Sequence, residues 1–237
     1  MFKPKLKMPE MTTQSMFKEN HPIASLDHLK IIYEDQDLLL VSKPSELLSA
    51  PGKTHEFSVK TMIARQYRKA TGNLIVHRLD QATSGIMLIA LNEKTHRYLS
   101  QAFEYKKVKK RYMALLSGHL QEQSGWIAFP MRLDPFQRPT QIYDPLFGNE
   151  AITRFECLSY DPIKNQSRVH LYPETGRTHQ LRLHCAHHLG LGMPIVGDPF
   201  YGHILGKEST RLHLHANQIQ FKHPNGKEMC IEDEAEF

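Results

Sequence analysis

The sequence predicts an α+β protein with a mixed, largely antiparallel central sheet that is flanked by helices and loops. Short segments rich in apolar and β-branched residues follow one another through most of the chain, separated by brief polar or proline-containing turns. Only a few segments have the apolar period of a helix. A doubly wound parallel sheet needs a helical crossover between its strands, and this chain has few.

The individual elements follow from the same patterns. Ser58 and Asn92 each precede apolar residues at helical spacing and predict two helix N-caps, and we expect both helices to cover one face of the sheet. A third helix is predicted from an N-cap at Thr178 to Leu189, with Gly190 ending it. Strands are predicted over residues 31–33, 38–41, 74–76, 86–91, 111–116, 126–129, 151–160, 168–172 and 213–221.

Composition and proline placement suggest one domain with an N-terminal arm. The chain has 237 residues, of which 40% are apolar, enough for a packed core. Residues 1–29 contain three prolines and no apolar period, which predicts a flexible or loosely docked arm, and residues 30–237 are predicted to form the globular domain. No apolar run approaches the roughly 18 residues that span a bilayer, and no signal peptide is recognised, so we expect a cytoplasmic protein without membrane contact.

The positive charge of the chain is concentrated in one short segment. The net charge of +5 and the isoelectric point near 9.0 favour an anionic partner without identifying it. The cluster is either a solvated helix end or turn, or a contact for RNA phosphates. It consists of Lys106, Lys107, Lys109, Lys110 and Arg111, and Tyr112 closes it.

The cysteines give no sign of a metal site or of a disulfide framework. Cys157, Cys185 and Cys230 are odd in number and lack the Cys-x-x-Cys spacing of zinc ligands. His184, His187 and His188 adjoin Cys185, but neighbouring residues of a helix face different directions. We therefore expect buried, reduced thiols and no metal.

The first chemically informative motif is His77-Arg78-Leu79-Asp80-Gln81-Ala82-Thr83-Ser84-Gly85. It places an arginine and an aspartate in a turn between two apolar runs. Taken alone it is either an exposed Asp–Arg pair or an active-site loop that holds an acid at the end of a sheet.

The second motif is Glu174-Thr175-Gly176-Arg177-Thr178-His179-Gln180-Leu181-Arg182-Leu183-His184. It follows a predicted strand and opens the third helix, so Arg177 and Arg182 would concentrate positive potential near the helix start. Alternatively, both are ordinary surface arginines.

Together the two motifs resemble those of the RluA-type pseudouridine synthases. Further segments resemble this family at Val41–Pro44, Lys110–Tyr112 and 195–202, so the resemblance extends from about Ile31 to the end. It implies the pseudouridine synthase fold with a central RNA-binding cleft. The N-terminal arm is too short for the S4 RNA-binding domain that many members carry, which favours the RluA subgroup, and Glu46 departs from the family's Lys-Pro-Ser-Gly pattern.

The resemblance also implies a role for each site residue. Asp80 would be the nucleophile and Arg182 its ion-pair partner, while Tyr112 would stack on the uracil and take the final proton. Arg78 would enter the RNA where the uridine had been. Arg177, His179 and the Lys106–Arg111 cluster would contact the RNA. His77 is expected to be structural.

The reaction itself requires no redox change, so we expect no cofactor, and RNA is the expected partner of a monomer. The subgroup implies 23S rRNA and a tRNA anticodon stem-loop as substrates, although a synthase for tRNA alone remains open, as does the choice between a covalent C1' adduct and a glycal intermediate.

Three other functions fit the residues less well. A glycoside hydrolase needs a second carboxyl group as proton donor, and no motif supplies a partner for Asp80. A zinc deaminase would carry His-x-Glu and Pro-Cys-x-x-Cys, which are absent. A non-catalytic RNA-binding protein of this fold would be favoured if Asp80 or Arg182 were missing, and both are present.

Overall fold

The computed structural model describes residues 29–52, 56–202 and 211–237. The predicted N-terminal arm therefore lies almost entirely outside the described residues. The elements, in chain order, are β1 (Lys30–Glu34), β2 (Leu38–Lys43), α1 (Val59–Gln66), β3 (Ser84–Ala90), α2 (Glu93–Glu104), β4 (Lys109–Ser117), β5 (Ser124–Leu133), β6 (Gln141–Tyr143), β7 (Asn149–Asp161), β8 (Gln166–Pro173), α3 (Gln180–Ala186), β9 (Leu214–Lys222) and β10 (Glu228–Glu232).

These strands form one mixed sheet, which confirms the predicted fold class. The order of the ten strands within the described residues is β1-β2-β3-β9-β4-β8-β7-β5-β6, and β10 pairs with β9. Only the β3–β9 pair is parallel, and all the other pairs are antiparallel. No helix of the described residues is long and apolar enough to cross a membrane.

The parallel pair explains the glycine that ends the first motif. Gly85 has a φ of +111°, and a Cβ atom there would lie 2.4 Å from the carbonyl oxygen of Ala216 on β9. A side chain at this position would prevent β3 from reaching β9. Gly85 is therefore required where the two halves of the sheet meet.

Both predicted helix N-caps are present. Ser58 forms a capping box with Thr61, and the Asn92 side chain accepts a hydrogen bond of 2.9 Å from the backbone N–H of Thr95. These bonds satisfy donors that the first turn of each helix leaves without a partner in the helix.

The expectation that α1 and α2 cover the same face of the sheet was wrong. Leu39 and Val41 of β2 pack in the core cluster that contains α1, whereas Leu38 and Leu40 pack in the cluster that contains Leu99 of α2. Strands β2 and β3 are thus covered on both faces. Their unbroken apolar runs are the pattern of such strands, since a strand with one wet face alternates apolar and polar residues.

Three local predictions also differ from the structure. Residues 74–76 form only an isolated bridge between Ile75 and Ile89, because Leu74 has a left-handed backbone with φ of +50°. Helix α3 begins at Gln180 after a left-handed His179, not after Thr178, and it ends at Ala186, ahead of Leu189. The short strands β6 and β10 were not predicted, because runs of this length carry little periodic signal.

Candidate active site

A cleft of about 890 Å³ lies over the centre of the sheet. Its walls come from the loop before β3, the segment between α2 and β4, the end of β8, and the turn that leads into α3. Nine of the predicted site residues line it, and the sheet thereby brings together residues that are far apart in sequence. They are Arg78, Asp80, Lys106, Lys109, Lys110, Tyr112, Arg177, His179 and Arg182.

The loop that carries Asp80 is held by the end of β2 and the segment that follows it. Three side chains of this region donate hydrogen bonds to carbonyl oxygens on either side of Asp80, and the backbone N–H of Thr83 closes a turn onto the carbonyl of Asp80 at 3.1 Å. These anchors fix the backbone of the acid against the sheet. The donors are Ser49 Oγ to Leu79 (2.7 Å), Lys43 Nζ to Gln81 (2.9 Å) and Ser45 Oγ to Ala82 (2.7 Å).

Lys43 is the most buried of these anchors. Its Nζ also donates to the carbonyl oxygens of Pro44 and Leu47, both at 2.8 Å. Burial lowers the pKa of Lys43 to about 7, although the negative charges of Glu46 and Asp80 raise it. Only the ammonium form has three protons for three carbonyls, so these bonds favour the charged state. The resemblance at Val41–Pro44 does not predict this function for Lys43, and its only sequence signal is a lysine at the end of an apolar strand.

Arg182 does not form the predicted ion pair with Asp80. Its Nε and Nη2 instead donate to Asp198 Oδ2 at 2.7 Å and Oδ1 at 2.6 Å, and both side chains are buried. The ion pairs of the described residues include none between Asp80 and Arg182. Burial alone would lower the pKa of Arg182, but Asp198 and, more weakly, Asp80 raise it. The charge of Asp80 thus acts on Arg182 without direct pairing.

The loop after α3 supports this arginine. The guanidinium carbon of Arg182 lies 5.1 Å from the centroid of the Phe200 ring and 5.3 Å from that of Tyr201, within cation–π range. Asp198 Oδ1 also accepts hydrogen bonds from the backbone N–H groups of Phe200 and Tyr201. The resemblance of residues 195–202 to a family loop does not by itself predict Asp198 as the partner of Arg182.

His179 lies beside Arg182, in a network that favours one tautomer. Its Nδ1 is 3.0 Å from the hydroxyl oxygen of Tyr201, which accepts from the backbone N–H of Gln141 at 2.7 Å. If Tyr201 donates its only proton to Nδ1, the proton of a neutral His179 is on Nε2. Burial lowers the pKa of His179 although Asp80 opposes this effect, so the neutral form is favoured near pH 7.

Tyr112 enters the cleft from β4. Burial and then the negative charge of Asp80 raise the pKa of its hydroxyl group well above the ordinary value. The phenol is therefore protonated at neutral pH. A free phenolate acting as a base in the resting protein does not fit this environment.

The basic cluster divides into two groups. Lys106, Lys109 and Lys110 line the cleft. Lys107 lies over the ring of Tyr105, with Nζ 5.9 Å from the centroid, and Arg111 pairs with Glu232 at 3.3 Å. Neither of these two residues lines the cleft.

Two of the three arginines of the motifs, Arg78 and Arg177, are exposed at the cleft. Arg177 is tethered by a 3.2 Å hydrogen bond from its Nε to the carbonyl oxygen of Glu150. Arg78 extends from the Asp80 loop and also lines the cleft.

His77 is structural, as predicted. Its Nε2 accepts a hydrogen bond of 2.9 Å from the backbone N–H of Leu88, and its ring stacks on Phe103 at 4.7 Å. Burial and the nearby charge of Lys110 lower the pKa of His77 to about 3. The ring is therefore neutral at physiological pH, with its proton on Nδ1.

One group of potential metal ligands occurs within the described part of the chain, away from the cleft. It consists of Asp35, Asp37 and His223. His223 Nδ1 accepts from the backbone N–H of Asn225, which puts the ring proton on Nε2, 2.9 Å from Asp35 Oδ2. The histidine thus has a proton where a metal would bind, in contact with the Asp35 carboxylate.

The chain is similar to proteins of one family. Residues 37–187 match the family model described as RNA pseudouridylate synthase. The chain is 42% identical over 212 residues to a protein of Haemophilus influenzae named dual-specificity RNA pseudouridine synthase RluA, covering 89% of this chain and 94% of that protein. It is 39% identical over 226 residues to the Escherichia coli K12 protein of the same name, covering 94% of this chain and 100% of that one.

Solved structures show the same architecture. Human RNA pseudouridylate synthase domain containing 1 superposes with a TM-score of 0.74 at 30% sequence identity, over 88% of this chain and 85% of that one. The human domain containing 4 protein superposes with a TM-score of 0.70 over 87% and 88% of the two chains, at 23% identity, which supports the fold alone. With this cleft, this sheet and a family match over more than half its length, the chain belongs to the RNA pseudouridylate synthases.

Proposed function

We propose that this RNA pseudouridine synthase acts on compact stem-loops, in tRNA and in 23S rRNA, with Asp80 as the nucleophile. The observation that supports the proposal most strongly is the cleft in which the anchored Asp80 loop faces Tyr112, Arg182 and a basic wall. Relatives that match almost their full length are named dual-specificity enzymes, which agrees with two RNA substrates for one site.

The reaction breaks the bond between N1 and C1' of uridine, turns the uracil within the site, and joins C5 to C1'. Asp80 either attacks C1' as the N1 electron pair leaves, or removes the proton from C2' to give a glycal and returns that proton to C2' as C5 bonds to C1'. In both routes the proton at C5 is lost after the new bond forms, and N1 gains a proton. The isomerisation is balanced without an oxidant, a reductant or a metal.

Tyr112 would act as a ring for the uracil to stack on and as a proton relay. Because its phenol is protonated at neutral pH, it can accept the proton from C5 only while passing its own proton on. The Asp80 carboxylate, released when C5 bonds to C1', is the acidic group whose charge raises the pKa of Tyr112. We therefore assign the final proton transfer to the pair and not to Tyr112 alone.

Arg182 would supply fixed positive charge close to Asp80. Asp198 holds two of its nitrogens, so the guanidinium has one orientation, and its charge remains near the reacting carboxylate. The Asp80 carboxylate would then keep its nucleophilic oxygens free of a bidentate partner.

RNA binding would use the rest of the cleft wall. Arg78 is exposed beside Asp80, in a position to fill the gap that the flipped uridine leaves. Lys106, Lys109, Lys110 and Arg177 would contact phosphates, which makes binding sensitive to salt. We assign RNA binding and catalysis to residues 30–237 acting as a monomer, with residues 1–29 as an arm.

Comparing RNAs of different size tests whether the enzyme recognises a stem-loop alone, which we call the compact footprint. Wild-type protein is incubated with a synthetic tRNA anticodon stem-loop and an rRNA hairpin, and in parallel with full-length tRNA and 23S rRNA. Pseudouridine is then mapped in each RNA. We expect the hairpins to be modified nearly as efficiently as their parents. Modification of the full-length RNAs alone would contradict the compact footprint, and modification of none of them would contradict the proposed substrates.

A further inference from the structure

The sheet continues beyond the cleft as an open face that carries a row of three side chains. Trp126 on β5 is the direct partner of Arg154 on β7, and Arg154 is the direct partner of Tyr172 on β8. Directly paired residues project from the same face of a sheet. The neighbouring residues Ile127 and Phe155 point to the other face, into the core. The row therefore lies on the face opposite to that core, where Trp126 is exposed and Arg154 and Tyr172 are half-buried.

Two members of this row already belong to the cleft wall. Arg154 and Tyr172 both line the cleft, and the guanidinium carbon of Arg154 lies 3.7 Å above the Tyr172 ring. Glu156 holds the pair, since it accepts a 3.0 Å hydrogen bond from the Tyr172 hydroxyl and lies 3.9 Å from Arg154. The wall of the cleft thus ends in a fixed cation–π stack.

Trp126 is the outermost member of the row and has no such partner. Its side chain is 61% exposed although it lies within a strand, and no aromatic or cationic group of the described residues stacks on its indole. It lies one strand beyond Arg154, and adjacent strands are about 4.8 Å apart. A nucleotide next to one held in the cleft can span that distance.

We propose that Trp126 is a stacking site for an unpaired base of the RNA substrate, outside the nucleotide that enters the cleft. A large exposed indole next to an arginine is the surface on which single-stranded nucleic acid stacks, whatever the base. The occupant is RNA because the face is continuous with the cleft of an RNA-modifying enzyme. The inference rests on that family activity, and it does not depend on which stem-loop is the substrate.

Trp126 is the only tryptophan of the chain, so its fluorescence reports on this site directly. The Asp80→Asn protein is titrated with a synthetic anticodon stem-loop and, separately, with single-stranded oligouridylate. Binding of each RNA is followed independently by the anisotropy of a label on the RNA. We expect tryptophan emission to be quenched as either RNA saturates the protein. Saturation by anisotropy with unchanged emission would overturn the proposal.

Substitution gives a second, independent test. Trp126→Thr keeps a residue that suits an exposed strand position and should weaken RNA binding roughly 5- to 100-fold, while Trp126→Phe should lose less. In otherwise wild-type protein, the single-turnover rate at saturating RNA should stay unchanged, since stacking away from the reacting uridine is uniform binding.

The matched control is Ile163→Thr, which removes a side chain that is 95% exposed in the turn between β7 and β8 and does not line the cleft. Its affinity for RNA should equal that of the wild type. Circular dichroism verifies that each variant is folded. Equal RNA affinities for Trp126→Thr and the wild type would refute the stacking site even if the enzyme modifies its RNA normally.

Discussion

Arg182 stays charged inside the protein because Asp198 accepts two of its hydrogen bonds and the rings of Phe200 and Tyr201 pack against it. Breaking such a buried pair by removing one partner costs about 3–5 kcal/mol, because the other charge is left without compensation. A variant that keeps the charge is therefore the informative one. It separates the geometry of the guanidinium from its charge.

Arg182→Lys should fold and should lose roughly 10- to 100-fold in single-turnover rate. A lysine donates from one nitrogen, so it cannot reproduce the two parallel bonds to Asp198, and its ammonium would not be fixed near Asp80. The rate is measured by pseudouridine formation with enzyme in excess over RNA. Arg177→Lys, in an exposed residue of the same motif, is the control and should change mainly RNA affinity. A near-normal single-turnover rate for Arg182→Lys would show that catalysis does not require the guanidinium group.

For single residues, the sequence predicted correctly which ones line the cleft, but it did not predict all of their contacts. Asp80, Tyr112 and Arg182 were identified from motifs, and all three line the cleft. The predicted ion pair between Arg182 and Asp80 was wrong. A motif shows which residues occur together in the sequence, whereas an ion pair depends on which carboxylate the fold brings close to the guanidinium. Only the tertiary structure shows that Asp198 contacts Arg182 and that Lys43 anchors the Asp80 loop.

Among the elements, the central strands are joined to the C-terminal segment by a buried polar group. Asp233 accepts hydrogen bonds from Ser42 at the end of β2 and from Lys30 of β1, and His215 of β9 lies 3.4 Å away. The other ring nitrogen of His215 is 2.9 Å from the Ser84 hydroxyl on β3. Ser84, His215 and Asp233 are buried, and none of the residues of this group lines the cleft, so we regard the serine, histidine and aspartate as a structural group.

Asp233→Asn should destabilise the protein by about 1–3 kcal/mol at pH 7, because a buried charged acceptor is lost. Burial alone would raise the pKa of Asp233, but His215, Lys30 and Ser42 outweigh it and hold that pKa well below its usual value. A carboxyl with a depressed folded pKa stabilises the protein above its unfolded pKa of about 3.9, and that contribution is lost as the pH falls further.

Urea denaturation of the two proteins from pH 7 down to about pH 3 measures this effect. The stability difference should be constant from pH 7 to about pH 5 and shrink below about pH 4. Glu236→Gln is the control, because Glu236 is an exposed acid whose 3.4 Å pair with Arg211 should contribute little. A difference that grows as the pH falls would show that Asp233 is not stabilised as a carboxylate.

The elements that the sequence predicted well are those with strong local signals. Helix caps at Ser58 and Asn92 are local hydrogen bonds, and most strands followed from their composition. Other features depend on packing between distant segments. They are the placement of the helices on opposite faces, the left-handed residue before α3 and the short strands. Local sequence patterns do not show how distant segments pack against one another, so these features could not be predicted.

At the scale of the whole molecule, the sheet assembles the site. Asp80 precedes β3, Tyr112 lies on β4 and Arg182 lies on α3, and the parallel contact of β3 with β9 brings these segments to one cleft. Arg154 and Tyr172 line the cleft, and Trp126 is the strand neighbour of Arg154. Catalysis would thus need one anchored acid, while RNA binding would be spread over the wall and the adjoining sheet.

The central claim is that Asp80 acts chemically and does not serve mainly to bind RNA. Asp80→Asn keeps the shape of the side chain and removes the nucleophile, so pseudouridine formation should stop while RNA affinity changes little. The decisive measurement combines a single-turnover assay with an RNA-binding titration on the same variant. We expect less than about 1% of wild-type turnover with nearly unchanged RNA affinity. Turnover above a few per cent, or loss of binding in parallel with loss of activity, would contradict it.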